Sequence, residues 1–301
     1  LKNKEFVRVK LGKVNDNLIA TPLDRGAGIT MSLVRADGIL EVPQSCEGYE
    51  AGQKVNIKLL KDLEDIQNTI VSIGSHDLIM DIIGNMIHRK NSAFNLSSSH
   101  VGSMAGLMAL KRGEAHMAPI HLLDEKTGTY NIEYIKRYLG NMDIALIKGV
   151  KRIQGIMTKK NNPKGIKGIE DLARDDIQFV NRQKGAGTRI LTDYLLKNAG
   201  IDTEKINGYR REMTTHMAVA AAIASGSADV GVGVYSAAKA MDLDFIPIGE
   251  EEYDFAIPKA FLDEIMIKLF IDVITSREFK DYLEQMGGYG TENTGQIIKC
   301  T

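Results

Sequence analysis

Between residues 1 and 60, apolar and polar positions alternate in short runs. "EFVRVKLG", "NLIATPL", "GILEVP" and "QKVNIKLL" predict the strands of a small β-barrel or sandwich, because a period of two puts one face in a core and the other in water. Turn formers separate them at Asn15-Asp16-Asn17, Asp24-Arg25-Gly26, Asp37-Gly38 and Glu50-Ala51-Gly52. Asp62, Glu64 and Asp65 end the region. From about residue 69 the pattern becomes strand, Gly/Ser loop, helix. "TIVSIG" predicts a strand and "SHDLIMDIIGNMIHRK" a helix, with Leu78, Ile79, Ile82, Ile83, Met86 and Ile87 on one stripe and Ser75 as its N-cap. "AFNLSS" and "HVGSMAGLMALKRG" repeat the unit, followed by "AHMAPIH" and a helix around 131–139. "IALIKGVKRIQGIMTK" reads as a long strand pair. "DIQFV" and "RILTDYLLKNAG" form a further strand and helix, stopped by Gly200, and "THMAVAAAIASG" and "DVGVGV" a helix and strand. "DFIPIGEEEYDFAIP" predicts another pair of strands, and "AFLDEIMIKLFIDVITSREFKDYLEQMGG" two closing helices. The alternation implies a mainly parallel α/β sheet, and its two series imply two lobes.

The bulk numbers narrow the function classes. The chain has 301 residues, enough for about two domains. With 38 basic and 39 acidic residues and a net charge of −1, no field covers the molecule that would favour a polyanion, so nucleic acid is not the expected partner. Any anion site must be local. Cys46 and Cys300 lie far apart and form no CxxC motif, which suits a reducing cytoplasm rather than a disulfide framework. The most apolar stretch, residues 217–238, is broken by Ser225, Gly226, Ser227 and Asp229, short of the ~20 residues that span a bilayer. No secretory segment opens the chain, and "LKNKEFVRVK" reads as the cut end of a longer protein.

In open α/β sheets, ligands bind where strands hand over to helices. Four such junctions here are rich in small and hydroxyl residues: "GSHD" (74–77), "SSSHVGS" (97–103), "QKGAGTR" (183–189) and "MTTHMA" (213–218). The first turn of a helix exposes unpaired N–H groups, glycine lets the backbone approach, and Ser or Thr adds donors, so each junction suits an anion. The loop "NRQKGAGTR" (181–189) adds cations. It is not a Walker A loop, since GxxxxGK[ST] is absent and Lys184 precedes the glycines. "GVGVYS" (231–236) lacks the third glycine and the following acid of a dinucleotide fingerprint. Arg182 and Arg189 offer forked guanidinium donors, Lys184 a point charge. His76, His100 and His216 also sit at these junctions, whereas His116 and His121 flank Pro119 and form no helical metal pair. No metal-ligand motif and no nucleophile signature occurs, so no catalytic residue is assigned.

Residues 6–60 resemble the C-terminal β domain of the MoeA family, the molybdopterin molybdenumtransferases, most clearly in "RGAGITMSLVRADGILEVP". The resemblance implies that Ser32, Arg35, Ala36, Asp37 and Gly38 face that family's cofactor cleft. The family's larger catalytic domain has no counterpart in these residues, so the fragment alone is not expected to transfer molybdenum, while a full-length parent would. Residues 69–301 resemble the periplasmic-binding-protein-type domain fused to some MoeA proteins and molybdate-linked regulators, in "GSHD", "HVGSMAGLMALKRGEAHMAPIHLLDEKTGTYN" and "VNRQKGAGTRILTDYLL".

The expected fold is therefore α/β: a two-lobed periplasmic-binding-protein-like (type II) domain preceded by a small all-β domain. The expected boundaries are 1–62 for the β domain and 69–301 for the two-lobed domain. Lobe 1 would take about 69–150 and 255–301, lobe 2 about 156–247, with crossings near 150–160 and 246–257. By the same resemblance, lobe 1 presents Ser75, His76, Ser98, Ser99 and Gly102 to the cleft, and lobe 2 presents Arg182, Gly187, Thr188, Arg189, Thr215 and Tyr235. The implied ligand is an oxyanion, molybdate or tungstate, bound in support of molybdenum cofactor biosynthesis. The alternatives are a phosphate-bearing pterin and a small organic ligand of the kind sensed by LysR-type effector domains. The fragment requires no cofactor of its own, molybdopterin belongs to the parent, and the missing MoeA catalytic domains are the expected partner in the cytoplasm.

Overall fold

The computed structural model describes residues 3–23, 36–124 and 126–300. The N-terminal alternation gives strands β1 (Glu5–Val14), β2 (Asn17–Pro22), β3 (Gly38–Val42) and β4 (Ile57–Leu59). They form one antiparallel sheet in the order β2-β1-β3-β4. Its buried face carries Val7, Val9, Leu11 and Val42, closed over by Ile66 of the short helix α1 (Leu63–Gln67). Among the described residues this is a single covered sheet rather than a barrel or sandwich, and only three residues of "QKVNIKLL" pair. Ser32 and Arg35 lie outside the described residues. Ala36 and Asp37 are buried beside Gly38 at the start of β3. The Asp37 carboxylate accepts from Lys10 Nζ (3.0 Å) and the Leu11 amide (3.0 Å) and pairs with Lys61 Nζ (2.8 Å).

The remaining elements up to the first long strand are β5 (Thr69–Gly74), α2 (Ile79–Lys90), β6 (Asn95–His100), α3 (Ser103–Lys111), β7 (Ala118–Ile120), α4 (Ile132–Leu139) and β8 (Ile144–Thr158). They continue with β9 (Phe179–Arg182), α5 (Gly187–Asn198), β10 (Glu212–Met213), α6 (His216–Ala224), β11 (Val230–Val234), α7 (Tyr235–Ala240) and β12 (Asp244–Pro258), and close with α8 (Ile265–Thr275), α9 (Arg277–Met286), β13 (Tyr289–Gly290) and β14 (Ile297–Lys299). β5 and β6 pair in parallel, and Ser72 bridges to Met117 just before β7. β7 joins β12, and β14 joins β8, both antiparallel. Farther along the same strands, β9 lies parallel between β10 and β11, and β11 runs antiparallel to β8.

Two lobes result, joined by β8 and β12. The first is packed around Ile70, Ile83, Leu107, Leu146, Phe255 and Phe270. The second is packed around Val180, Val219 and Ile223 on one face of its sheet and Phe179, Leu196 and Val232 on the other. Each stretch expected to be a pair of strands is one 15-residue strand instead, and the two run antiparallel through both lobes. Gly149 and Gly155 are not turns. A Cβ on Gly149 would fall 2.2 Å from the Tyr253 carbonyl oxygen, and one on Gly155 would fall 2.3 Å from the Phe245 ring, so glycine lets the long strands lie close. Two register shifts, at Pro247/Gly249 and Tyr253/Phe255, interrupt the pairing of β12 with β8. No helix among the described residues is long and apolar enough to cross a membrane.

The small sheet is fastened to the first lobe. A Cβ on Gly12 would lie 2.3 Å from a Val71 methyl, and Thr21 Oγ1 meets Ser97 Oγ at 3.2 Å. His116, fully buried, accepts from the Val71 amide at Nδ1 (2.9 Å) and bonds the Lys13 backbone on its other side. Only the neutral ring can accept at Nδ1. Burial accordingly pulls its pKa down to about 4, against a smaller upward pull from the Lys13 carbonyl. The folded state thus binds fewer protons than the unfolded one. The contribution is present in full above about pH 6.5 and is lost as the pH falls towards about 4, amounting to roughly 3 kcal/mol. Urea unfolding of the wild type should weaken across that window, and His116→Asn should flatten the dependence; parallel curves for the two would refute this role.

Candidate ligand-binding site

The site lies where β8 and β12 cross between the lobes. Along β8, the alternate positions Val150, Arg152, Gln154 and Ile156 are all buried. Two polar side chains therefore occupy the apolar face of the strand. Arg152, with no exposed surface, stands opposite Glu251 in register, and its Nη2 forms an ion pair with Glu251 Oε1. Its Nη1 donates to Asp77 Oδ2 (2.5 Å), and its guanidinium lies 4.6 Å from the centre of the Tyr253 ring. Asp77 is fixed in turn: its Oδ1 accepts from the Ile79 amide at the start of α2 (2.9 Å) and from Tyr289 Oη (3.1 Å). Burial alone would raise the Glu251 pKa, but Arg152 and His121 outweigh it and hold the carboxyl ionised far below its usual range. The opposing pair keeps Arg152 charged despite burial.

From this ion cluster a chain leads to Ser75. His121, just after β7, places Nδ1 3.0 Å from Glu251 Oε2 and Nε2 2.6 Å from Ser75 Oγ. Ser75 donates its amide to the Pro119 carbonyl (2.9 Å), and its own carbonyl accepts from Tyr253 Oη (2.7 Å). It is not the N-cap of α2, because Asp77 takes that amide. The second lobe approaches through Gly187, the first residue of α5. A Cβ there would fall 2.0 Å from His121 Nδ1, so only glycine lets the N-terminus of this helix reach the ring. Thr188 beside it is buried and donates from Oγ1 to Gln154 Oε1 (3.3 Å).

Several nitrogens around this crossing have no partner among the described residues. Arg182 at the end of β9 has Nε and Nη1 buried without an acceptor, and Gln154 Nε2 and His216 Nδ1 are likewise unmatched. Buried polar groups are ordinarily satisfied, and the Arg182 and Gln154 nitrogens can only donate, so they point to an acceptor-rich ligand. Burial and repulsion from Arg152 pull the Arg182 pKa down to about 10, with Glu251 opposing, so it remains a cation at neutral pH. Burial, with repulsion from Arg182 and Arg152, keeps His216 neutral.

The other expected residues are distributed as follows. His76 is half-buried with its ring edge-on to His100 at 4.2 Å, and burial lowers its pKa against the pull of Asp77 and Asp81. Gly102 caps α3 with φ +88° and donates to the Gly74 carbonyl (2.9 Å), next to Ser75. Ser98 and Ser99 are half-buried on β6, in register with Ser72 and Ile73. Arg189 lies apart from the open donors: Nε donates to Asp193 (2.9 Å), Nη1 to Glu212 (3.3 Å) and the Arg182 carbonyl (3.3 Å), and the group stacks over Tyr209. Thr215 caps α6, accepting from the Ala218 amide (3.0 Å). Tyr235 begins α7 with its ring against Phe245. The structure thus brings Ser75, Arg182, Gly187 and Thr188 together with His216, which the sequence also places at a junction, and adds Asp77, His121, Arg152, Gln154 and Glu251, to which the sequence assigns no ligand role. The legible signal for two of these was a charged and an amide residue on the buried face of β8.

Comparison with known proteins agrees with this architecture. Residues 84–275 match the PBP superfamily domain, and residues 2–60 match the MoeA C-terminal region (domain IV). The uncharacterized protein YvgK of Bacillus subtilis is 34% identical over 241 residues, covering 80% of this chain and 77% of its own length. A putative molybdopterin biosynthesis protein of Methanocaldococcus jannaschii, MJ0666, is 39% identical over 57 residues, which is 19% of this chain and 13% of that protein. Among solved structures, a putative phosphate ABC transporter substrate-binding protein with bound phosphate from Clostridium perfringens aligns with a TM-score of 0.55 at 16% identity, covering 77% of this chain and 99% of that one. The tungstate ABC transporter structure from Geobacter sulfurreducens aligns with a TM-score of 0.53 at 14% identity, covering 72% and 98%. At those identities the likeness establishes the fold. The chain belongs to the PBP superfamily, and carries a MoeA C-terminal region ahead of its two-lobed domain.

Proposed function

We propose that the two-lobed domain binds a tetrahedral oxyanion at the crossing of β8 and β12, molybdate or tungstate before others, in support of MoeA-type insertion of molybdenum into molybdopterin. The observation that carries this reading is the set of open donors on Arg182 and Gln154, with the unmatched His216 ring nitrogen, buried between the lobes beside the ion cluster of Arg152, Asp77 and Glu251. An uncompensated buried cation costs several kcal/mol, and an anion received there removes that cost. The phosphate- and tungstate-named relatives of this fold support an oxyanion, and the MoeA C-terminal region supports molybdenum over phosphorus. Lobes joined by two strands close on a ligand as a hinge. The transferase chemistry itself is proposed for MoeA catalytic domains working with this chain in the cytoplasm.

A second reading, a phosphate-bearing pterin, is favoured by the inward-facing Arg182, since its fork matches a phosphate ester as well as a free ion. Calorimetric titration with molybdate, tungstate, phosphate, sulfate and a small carboxylate separates these. Saturable heat with molybdate or tungstate at least tenfold tighter than with sulfate is the expected result. Heat with the carboxylate alone would mean an organic-ligand sensor, and no heat with any of them would overturn the oxyanion reading.

A further inference from the structure

We propose that the Gly187 backbone and the His121 ring form the closing stop of the cleft. Their contact sets how near the two lobes come, and so which size of tetrahedral ion the donors of both lobes can span. This rests on the oxyanion reading above.

The loop that leads into α5 holds two glycines for different reasons. Gly185 has φ +84° and nothing within 4 Å of where a Cβ would sit, so its backbone conformation is what requires glycine. Gly187 opens a helix and has no left-handed φ. What it lacks is room. A Cβ there would fall 2.0 Å from His121 Nδ1, 2.3 Å from Cε1 and 2.8 Å from the His121 carbonyl oxygen. The main chain of the second lobe therefore abuts the first lobe with no side chain between them, and a main chain cannot swing aside as a rotamer can.

Neither side of the contact is free to retreat. On the first lobe, Ser75 Oγ holds the His121 ring at Nε2 (2.6 Å), Glu251 Oε2 holds it at Nδ1 (3.0 Å), and the Tyr253 ring stacks on it at 6.0 Å. Glu251 is itself paired with Arg152, and the His121 amide donates to Ser103 Oγ at the start of α3 (3.2 Å). On the second lobe, Thr188 Oγ1 donates to Gln154 Oε1 of β8 (3.3 Å), and Arg189 Nη1 donates to the Arg182 carbonyl at the end of β9 (3.3 Å). Leu191 and Leu196 are buried on the same helix. An added methyl is therefore accommodated by moving the lobes apart as bodies.

The consequence is selection by size. Arg182 and His216 belong to the second lobe and Ser75 to the first. A stop made of protein atoms fixes the gap between them, whatever ion occupies it. Molybdate and tungstate have longer metal–oxygen bonds than the S–O and P–O bonds of sulfate and phosphate, so they reach donors on both sides. A smaller ion stays bonded to one side, because the lobes cannot close further onto it.

The test is Gly187→Ala in the full chain, titrated with molybdate and with sulfate by calorimetry and stopped flow. Molybdate should bind at least ~10-fold more weakly and leave faster, whereas sulfate, bonded to one lobe already, should change less than ~3-fold. The ion-free variant should melt no lower than the wild type, since alanine suits a helical position. In a His121→Ala background the ring is gone, and adding Gly187→Ala should cost no further molybdate affinity. Unchanged molybdate affinity in the single variant would overturn the stop. So would equal losses for the two ions, or a full-sized loss in the His121→Ala background, and each would leave the oxyanion reading intact. A wild type that binds no ion would overturn both. Should His121→Ala fail to fold, the comparison of the two ions in Gly187→Ala still decides.

Discussion

Arg182→Ala is expected to make the ligand-free protein more stable while removing anion binding. The guanidinium holds two buried donors with no acceptor, beside the like charge of Arg152. Its truncation relieves an uncompensated desolvation of about 1–3 kcal/mol. For a domain of this size that corresponds to a rise of roughly 2–10 °C in melting temperature. The same change deletes a buried cation with two open donors, and affinity for molybdate should fall at least ~100-fold, about 3 kcal/mol. Differential scanning fluorimetry with and without molybdate reads both effects. An arginine serving only as scaffold would give the opposite pair, a lower melting temperature with ligand-induced stabilisation retained.

Arg152→Met should do the reverse to the scaffold. It leaves Asp77 and Glu251 facing each other in the interior without their shared counter-ion, a loss on the order of 3–5 kcal/mol, with a melting temperature lower by roughly 10 °C. Arg152→Lys should rescue little, because an ammonium cannot bridge two carboxylates and lie flat on the Tyr253 ring as the guanidinium does. The triple change Arg152→Met, Asp77→Asn, Glu251→Gln should recover much of the loss by discharging all three groups together. Melting the single and triple variants side by side checks this. If the triple variant melts no higher than Arg152→Met, unpaired charge is not the reason for the damage.

What the chain's pattern made legible, and what it hid, follows from sequence distance. The alternation of β1 and the stripe of α2 are local, and so were readable. So were the strand-to-helix junctions holding Ser75, Gly187 and Thr188, because glycine and hydroxyl residues there have a local backbone reason. The partners of Arg152 are 75 and about 100 residues away, and nothing near position 152 announces them. Arg189 illustrates the converse. It carries the same functional group as Arg182 in the same loop, yet Asp193 stands one helical turn on and captures it. That i,i+4 acid was visible in the sequence and distinguishes the two arginines. His121 forms no helical metal pair in the sequence, and its actual neighbours, Ser75 and Glu251, meet it only because β12 returns beside β7.

The return of β12 also sets an order of assembly during synthesis. The apolar interior of the second lobe is complete within one continuous stretch, from Ile156 to Ile248. That of the first lobe begins at Val14 and Ile70 but waits for Phe255, Phe270 and Ile274, and its last buried member is Cys300. On a ribosome, the lobe made later is therefore the one that can close first. The earlier lobe stays an unfinished half-sheet, edge open, until nearly the final residue of this stretch has emerged.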